Sequence, residues 1–180
     1  MTFTFTKTSI DGVLVVNPRS FEDGRGYFME TYAKKAFEAA GIPGEVVQLN
    51  HSMSVRGVLR GLHFQRDSYA QAKLVRCTRG EVLDVALDIR RGSPTFGKWI
   101  SVVLSESARN MIYVPRGFAH GFLTTSDVAE VQYSVDNEYS PEHEGGVIWN
   151  DPDLGIPWPI SSPILSKRDA GWPRLAQLRL

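Results

Sequence analysis

Between Val46 and Tyr139 the chain is written almost entirely in short β-rich runs, each closed by a turn signal. No other feature limits the possible folds as much. "KLVRCTRGEVLDVALDIR" (residues 73–90) holds two such runs around Arg79-Gly80. In the second, Leu83, Val85, Leu87 and Ile89 share one face, with Asp84 and Asp88 on the other, as alternation along a strand requires. "KWISVVLS", "NMIYVP", "HGFLTT" and "VAEVQYSV" follow at short intervals. Many short strands with little helix between them predict sheets that close into a sandwich or barrel. A helical bundle, a coiled coil and a Rossmann unit all fit poorly.

The flanks are less regular. "MTFTFTKTSIDGVLVVNP" reads as extended chain ended by Asn17-Pro18. "SFEDGRGYFMETY" is rich in glycine and charge and reads as a loop leading into a helix. "METYAKKAFEAAG" spaces Met29, Ala33, Ala36, Phe37 and Ala40 for that helix, and Gly41 supplies its stop. From Asp136 to Pro173 the chain is irregular, holds most of the prolines, and carries Trp149, Trp158 and Trp172. It is expected to wrap over one mouth of the barrel. No repeat or linker divides the chain, so residues 1–180 are expected to form one domain with a C-terminal wrapping segment.

Composition narrows the functional classes. A hydrophobic share of 42% and a charged share of 22% are ordinary for a globular protein. Twenty Lys and Arg balance twenty Asp and Glu, so no overall field favours nucleic acid or an anionic membrane. An anionic ligand therefore needs local cations. No stretch reads as a transmembrane span or signal peptide, and the single cysteine, Cys77, fits a reducing cytoplasm.

Polar residues inside strand-like runs carry the functional signal. "VLRGLHFQ" (residues 58–65) places Arg60 and His63 in an otherwise apolar strand. His63 reads equally as a core histidine bonded to a carbonyl or as a general base, since imidazole titrates near working pH. A base needs a carboxylate on its other ring nitrogen, and Asp84, Asp88 and Asp169 all qualify. Asp169 also closes a Ser-x-x-Asp signature that reads as a helix cap. Metal binding is disfavoured: Gln65 and Gly61 flank His63 at two residues, so no His-x-His pair forms on that face.

His120, after a Pro-x-Gly turn, has a structural reading beside its chemical one, and His51 and His143 read as solvated. Tyr133 shares a face with Val131 and Val135 and is either packed core or a phenol lining a cavity. Arg25, Arg60, Lys73 and Arg76 must pair with carboxylates or await an anion. Arg60 and His63 lie three apart, so they meet one ligand only if Gly61 permits a bulge or a second subunit contributes one of them. No glycine-rich phosphate loop is present, which leaves diphosphate recognition to side chains.

"GVLRGLHFQ", "AQAKLVRCTRGEVLDVALDIRRGSPTFGKW", "YVPRGFAHGFLTTSDVAEVQYSVDNEYSP" and "IWNDPDLGIPWP" together resemble the dTDP-4-dehydrorhamnose 3,5-epimerase family, as do "DGRGYFMETY" and "LSKRD". The likeness runs in order along nearly the whole chain. It implies a mainly β, cupin-type jelly-roll barrel with a few short helices, no cofactor and no metal. It also implies a homodimer whose substrate is the dTDP-linked 4-keto-6-deoxy sugar dTDP-4-dehydro-6-deoxy-glucose. By the same likeness His63 is the base, Tyr133 the proton donor, Asp169 the partner of the histidine and Lys73 the lysine near the carbonyl. Arg25, Glu30, Gln48, Asn50, Arg60, His120 and Tyr139 fall on nucleotide- or sugar-contacting positions. Glu144 and Arg168 fall there more loosely, and Phe21 is implied to stack on thymine, across the dimer if need be. Phe64 stands where tyrosine is common and Ala72 where glycine is common, and neither change removes a catalytic group. Relatives that invert only C3 or C5, 3,4-ketoisomerases, and a binding protein that has lost the chemistry are the rival readings.

Overall fold

The structure is a computed structural model, described over residues 2–42 and 45–178. Its strands are β1 (Phe3–Lys7), β2 (Leu14–Pro18), β3 (Ser20–Asp23), β4 (Gly26–Met29), β5 (Gln48–Val55), β6 (Leu59–Gln65) and β7 (Lys73–Arg79). They continue as β8 (Glu81–Asp88), β9 (Trp99–Ser105), β10 (Met111–Val114), β11 (Phe118–Thr124), β12 (Val128–Val135) and β13 (Glu144–Gly146), and one α-helix, α1, spans Lys34–Ala39. A six-stranded sheet runs β1-β2-β10-β7-β12-β5 and a five-stranded sheet runs β13-β6-β11-β8-β9, while β3 and β4 pair only with each other. Neighbours in sequence are split between the two large sheets, which gives a cupin-type jelly roll.

The core lies where the sheets face each other. Val75 and Cys77 of β7, Ile112 and Val114 of β10, and Ala129 and Val131 of β12 meet Val82 and Ala86 of β8, Leu104 of β9, and Phe118 and Phe122 of β11. The valine, leucine, isoleucine and phenylalanine side chains among these contribute roughly 1.5–3 kcal/mol each when fully buried. A second layer covers the outside of the five-stranded sheet. There Leu62, Phe64, Val85, Leu87, Ile89 and Ala119 pack against Val147 and Leu178, with Leu154, Ile156 and Trp158 alongside. Part of the late irregular segment thus covers the outer face of this sheet. β8 is consequently buried on both sides, and Asp84 and Asp88 point into the protein.

Two local expectations change. The helix spans only Lys34–Ala39, because Met29 belongs to β4. Gly41 does end it: its φ is +80°, and Gly41 N and Ile42 N donate to the carbonyls of Glu38 and Phe37. "SFEDGRGYFM" is a β-hairpin and not a loop, with Ser20 opposite Met29 and Asp23 opposite Gly26. Its glycines serve the turn, and the flanking residues alternate as strand.

Candidate active site

The polar residues expected to be costly in strands converge on one cavity of about 430 Å³ between the two large sheets. β5 supplies Gln48, Asn50 and Ser52, because its even-numbered residues turn inward while Leu49, His51, Met53 and Val55 are exposed. β6 supplies Arg60 and His63, β7 Lys73, β11 His120 and Phe122, and β12 Tyr133. The returning late segment adds Tyr139, Glu144, Ser166, Arg168 and Asp169.

Arg60 and His63 reach the same cavity because β6 is bulged. His63 pairs with His120 and Arg60 with Phe122, so three steps along β6 match two along β11. Gly61 sits at the irregularity with φ +134°. Gly121 faces it closely: a Cβ there would lie 2.5 Å from the Arg60 carbonyl oxygen. The bulge that alternation demanded exists, and two glycines make room for it.

The three aspartates separate cleanly. Asp169 takes His63, with Nε2 of the imidazole bonded to Oδ1. Burial alone would push the Asp169 carboxyl up, but the hydrogen bonds from His63 and Ser166 and the nearby imidazole hold it below the ordinary carboxylate range. Being ionised, it can only accept, so Nε2 carries the proton and Nδ1 of His63 is left without a protein partner among the described residues. Ser166 Oγ donates to Asp169 Oδ2 at 2.8 Å and accepts from the Asp169 amide at 3.0 Å. Asp169 is therefore the partner of His63, while the cap reading fails: the short 3-10 turn Asp169–Gly171 follows Arg168 with no side-chain cap, and Ser166 braces the carboxylate instead.

Asp84, fully buried, accepts from His120 Nε2 at 2.8 and 3.0 Å. Asp88 binds Arg90, Ser93 and Thr95 and holds the bend after β8. His120 is thus both anchored and cavity-lining. His51 is exposed beside Glu130 at 3.1 Å, as a solvated histidine should be. His143 differs from expectation: it stacks on Tyr69 at 4.2 Å and accepts or donates to Ser140 Oγ at 2.8 Å. The short turn at Pro141–His143 folds the ring onto the protein.

The Lys73 ammonium makes no hydrogen bond or ion pair among the described residues. Burial lowers its pKa to about 8, against the opposing pull of Asp84 and Glu144. The Tyr133 hydroxyl is raised above its ordinary value, first by burial, with Arg60 opposing and Glu144 and Tyr139 adding. His63 stands on the five-stranded sheet, whereas Tyr133 and Lys73 stand on the six-stranded one. A phenol and an ammonium therefore line the space from one sheet and an imidazole from the other.

At the rim, Tyr139 Oη donates to Glu144 Oε2 at 3.0 Å, and Arg168 pairs with the same oxygen. Gln48 Nε2 donates to Asn50 Oδ1 at 2.8 Å. Among the described residues the Arg60 guanidinium bonds only Ser54 Oγ at 3.0 Å and the Met53 carbonyl at 3.2 Å, with no carboxylate partner. It is available to an anion. Among the described residues no cluster of three or more His, Cys, Asp or Glu side chains could hold a metal ion. None of their helices is long and apolar enough to cross a membrane.

Phe21, Arg25 and Glu30 are not brought to this cavity. Phe21 and Arg25 belong to the β3–β4 hairpin, which lines a separate concavity with Tyr27 and Phe28. The Arg25 side chain is 91% exposed and, among the described residues, bonds only Asp23 of its own turn. Sequence reasoning missed Ser52, Gln71, Phe122 and Ser166 as lining residues and Asp84 as the partner of His120. Only the Ser-x-x-Asp spacing and the alternation of β5 pointed toward any of them.

Residues 7–177 match the family described as dTDP-4-dehydrorhamnose 3,5-epimerase. A protein of that name from Shigella flexneri is 52% identical over 164 residues, covering 91% of both chains. One from Methanothermobacter thermautotrophicus is 48% identical over 178 residues, covering 97% of this chain and 96% of its own. Among solved structures, the dTDP-6-deoxy-D-glucose-3,5-epimerase of Legionella pneumophila in complex with dTDP-4-keto-L-rhamnose is 41% identical. It superposes with a TM-score of 0.95, covering 98% of this chain and 95% of its own.

Proposed function

The chain belongs to the dTDP-4-dehydrorhamnose 3,5-epimerase family, and from that membership we propose that it inverts C3 and C5 of dTDP-4-dehydro-6-deoxy-glucose to give dTDP-4-dehydro-L-rhamnose. The observation that carries the reading is the cavity itself, where His63 and Tyr133 face each other from opposite sheets with Lys73 beside them. C3 and C5 both flank the C4 ketone, so the proton on each is acidified by it. His63 Nδ1 removes that proton, and Asp169 stabilises the imidazolium that forms. Lys73 places positive charge by the developing enolate oxygen, which a weak base such as imidazole requires. Tyr133 returns a proton to the opposite face of the ring. Its burial keeps the hydroxyl protonated until then. Each inversion leaves an imidazolium and a phenolate, and exchange with solvent resets both. One pair used twice serves both carbons.

Arg60 and Arg168 supply charge for the diphosphate, while Gln48, Asn50, His120, Tyr139 and Glu144 contact sugar or base. Phe21, Arg25 and Glu30 lie apart from the cavity of their own protomer, so we place them in the cavity of a second copy. The exposed aromatic face of the hairpin (Phe28 is 66% exposed) supports such a crossing homodimer. The unpaired Cys77 supports work in a reducing cytoplasm.

The test is NMR of dTDP-4-dehydro-6-deoxy-glucose incubated with the protein in D₂O. Deuterium at both C3 and C5, with the L-sugar formed, is expected. Exchange at one carbon only would move the assignment to a single-centre epimerase. Binding without exchange would leave a nucleotide-sugar-binding protein.

A further inference from the structure

The β3–β4 hairpin forms no backbone hydrogen bond with either large sheet. A lone two-stranded hairpin is marginal in water, so its direction must be set by side chains. Among the described residues one side chain ties it to the rest of the protein by hydrogen bonds, and that is Arg109. Its Nη1 donates to Ser20 Oγ at 2.7 Å and to Glu22 Oε1 at 2.5 Å. The same guanidinium lies 3.8 Å from the ring centroid of Tyr27. Glu22 and Tyr27 are cross-strand partners, so Arg109 grips both strands at one rung. The next rung, Asp23 opposite Gly26, closes the tip that carries Arg25.

Arg109 is itself held for this task. It sits in the turn between β9 and β10 with φ +54°, the left-handed region that non-glycine residues seldom occupy. Its amide donates to the Ser105 carbonyl at 2.9 Å, and its side chain is only 24% exposed. A planar guanidinium that stacks on Tyr27 while its Nη1 bonds Ser20 and Glu22 fixes direction as well as distance, which a lysine in its place does not.

We propose that Arg109 is a positioning residue that aims the hairpin tip, and with it Arg25 and Phe21, into the nucleotide end of the partner copy's cavity. The proposal rests on the dimeric reading given above. It makes substrate affinity in one protomer depend on a turn in the other. Arg109 touches no substrate and does not enter the proton transfers.

The experiment measures dTDP binding by calorimetry and steady-state turnover of the dTDP-4-keto sugar for wild type, Arg109→Ala and Arg109→Lys. Thermal melts confirm that each variant is folded. Arg109→Ala is expected to weaken dTDP binding and raise KM by roughly tenfold, the scale of one lost charge-assisted hydrogen bond, with kcat within about twofold. Arg109→Lys should fall between the two. Mixed dimers of Arg109→Ala with His63→Ala, isolated through two affinity tags, then decide the direction of action. Each contains one cavity with an intact His63 that receives a hairpin braced by an intact Arg109. Such dimers should recover the wild-type KM at about half the wild-type kcat, since one cavity of two is complete. Unchanged affinity in Arg109→Ala would overturn the proposal. So would a raised KM that persists in the mixed dimers, because the hairpin would then serve its own protomer. If wild type binds dTDP but turns nothing over, the assigned reaction fails. In that case mixed dimers of wild type with a chain carrying both Arg109→Ala and Arg60→Ala are titrated with dTDP: two weakened sites support the crossing hairpin, and one site of wild-type affinity overturns it.

Discussion

Lys73 enters the cavity as a cation with no hydrogen-bonding partner among the described residues, and burial lowers its pKa from 10.5 to about 8. The folded chain therefore holds that proton less tightly than the unfolded chain does. The resulting cost to stability is fully present below pH 8 and fades as pH rises toward 10.5. Lys73→Met should raise stability at neutral pH by about 1–3 kcal/mol and flatten the gain between pH 8 and 10.5, as read from denaturant titrations. It should also cut turnover by about a hundredfold or more, because the enolate loses its positive neighbour. A variant that is both less stable and fully active would contradict each half of this reading. Tyr133 has the complementary task. Tyr133→Phe should keep deuterium uptake at the carbon next to the ketone while losing inversion at C5. Normal L-product from that variant, seen by NMR, would reduce Tyr133 to packing.

At the scale of elements, the bulge of β6 decides whether Arg60 and His63 serve one ligand. Gly121→Ala would place a Cβ 2.5 Å from the Arg60 carbonyl and 2.9 Å from the Gly61 Cα, both backbone atoms that cannot swing aside. A cost of about 1–3 kcal/mol in stability is expected, as for other overpacked sites. Activity, measured at a temperature where the variant is fully folded, should fall by more than the folded fraction explains. The need for that bulge was legible in the spacing of Arg60 and His63, and so were β7 to β12, whose alternation is clear. The hairpin was not, because a turn written Asp-Gly-Arg-Gly has the composition of a loop. Nor could alternation reveal which side of β8 faces inward, since a strand buried on both sides shows two faces without ranking them. Asp84 escaped notice as a partner of His120 for the same reason. That pairing depends on register between β8 and β11, which only the folded sheet supplies.

For the whole molecule, two exposed apolar surfaces call for a cover: the aromatic hairpin, and the outer side of β5, where Leu49 is 63% and Met53 56% exposed. Light scattering should give about twice the 20.1 kDa chain mass. Leu49→Asp combined with Met53→Asp should shift that mass toward the monomer and raise KM at the same time, since each cavity would lose its borrowed hairpin. A monomeric wild type with a low KM would show that a single copy is complete. The residues of the cavity come from six strands and the segments around the last of them, separated widely in sequence. Their assembly accordingly tracks global folding and not any local element.

β5 is a sentence with two readers. Its even letters, Gln48, Asn50 and Ser52, are addressed to whatever occupies the cavity, and its odd letters, Leu49, His51, Met53 and Val55, to whatever lies outside. Because the two messages interleave without sharing a residue, mutation can revise ligand preference along this strand and leave the outer contact unaltered. The one edit neither reader survives is an insertion or deletion of a single residue, which exchanges the two messages at a stroke.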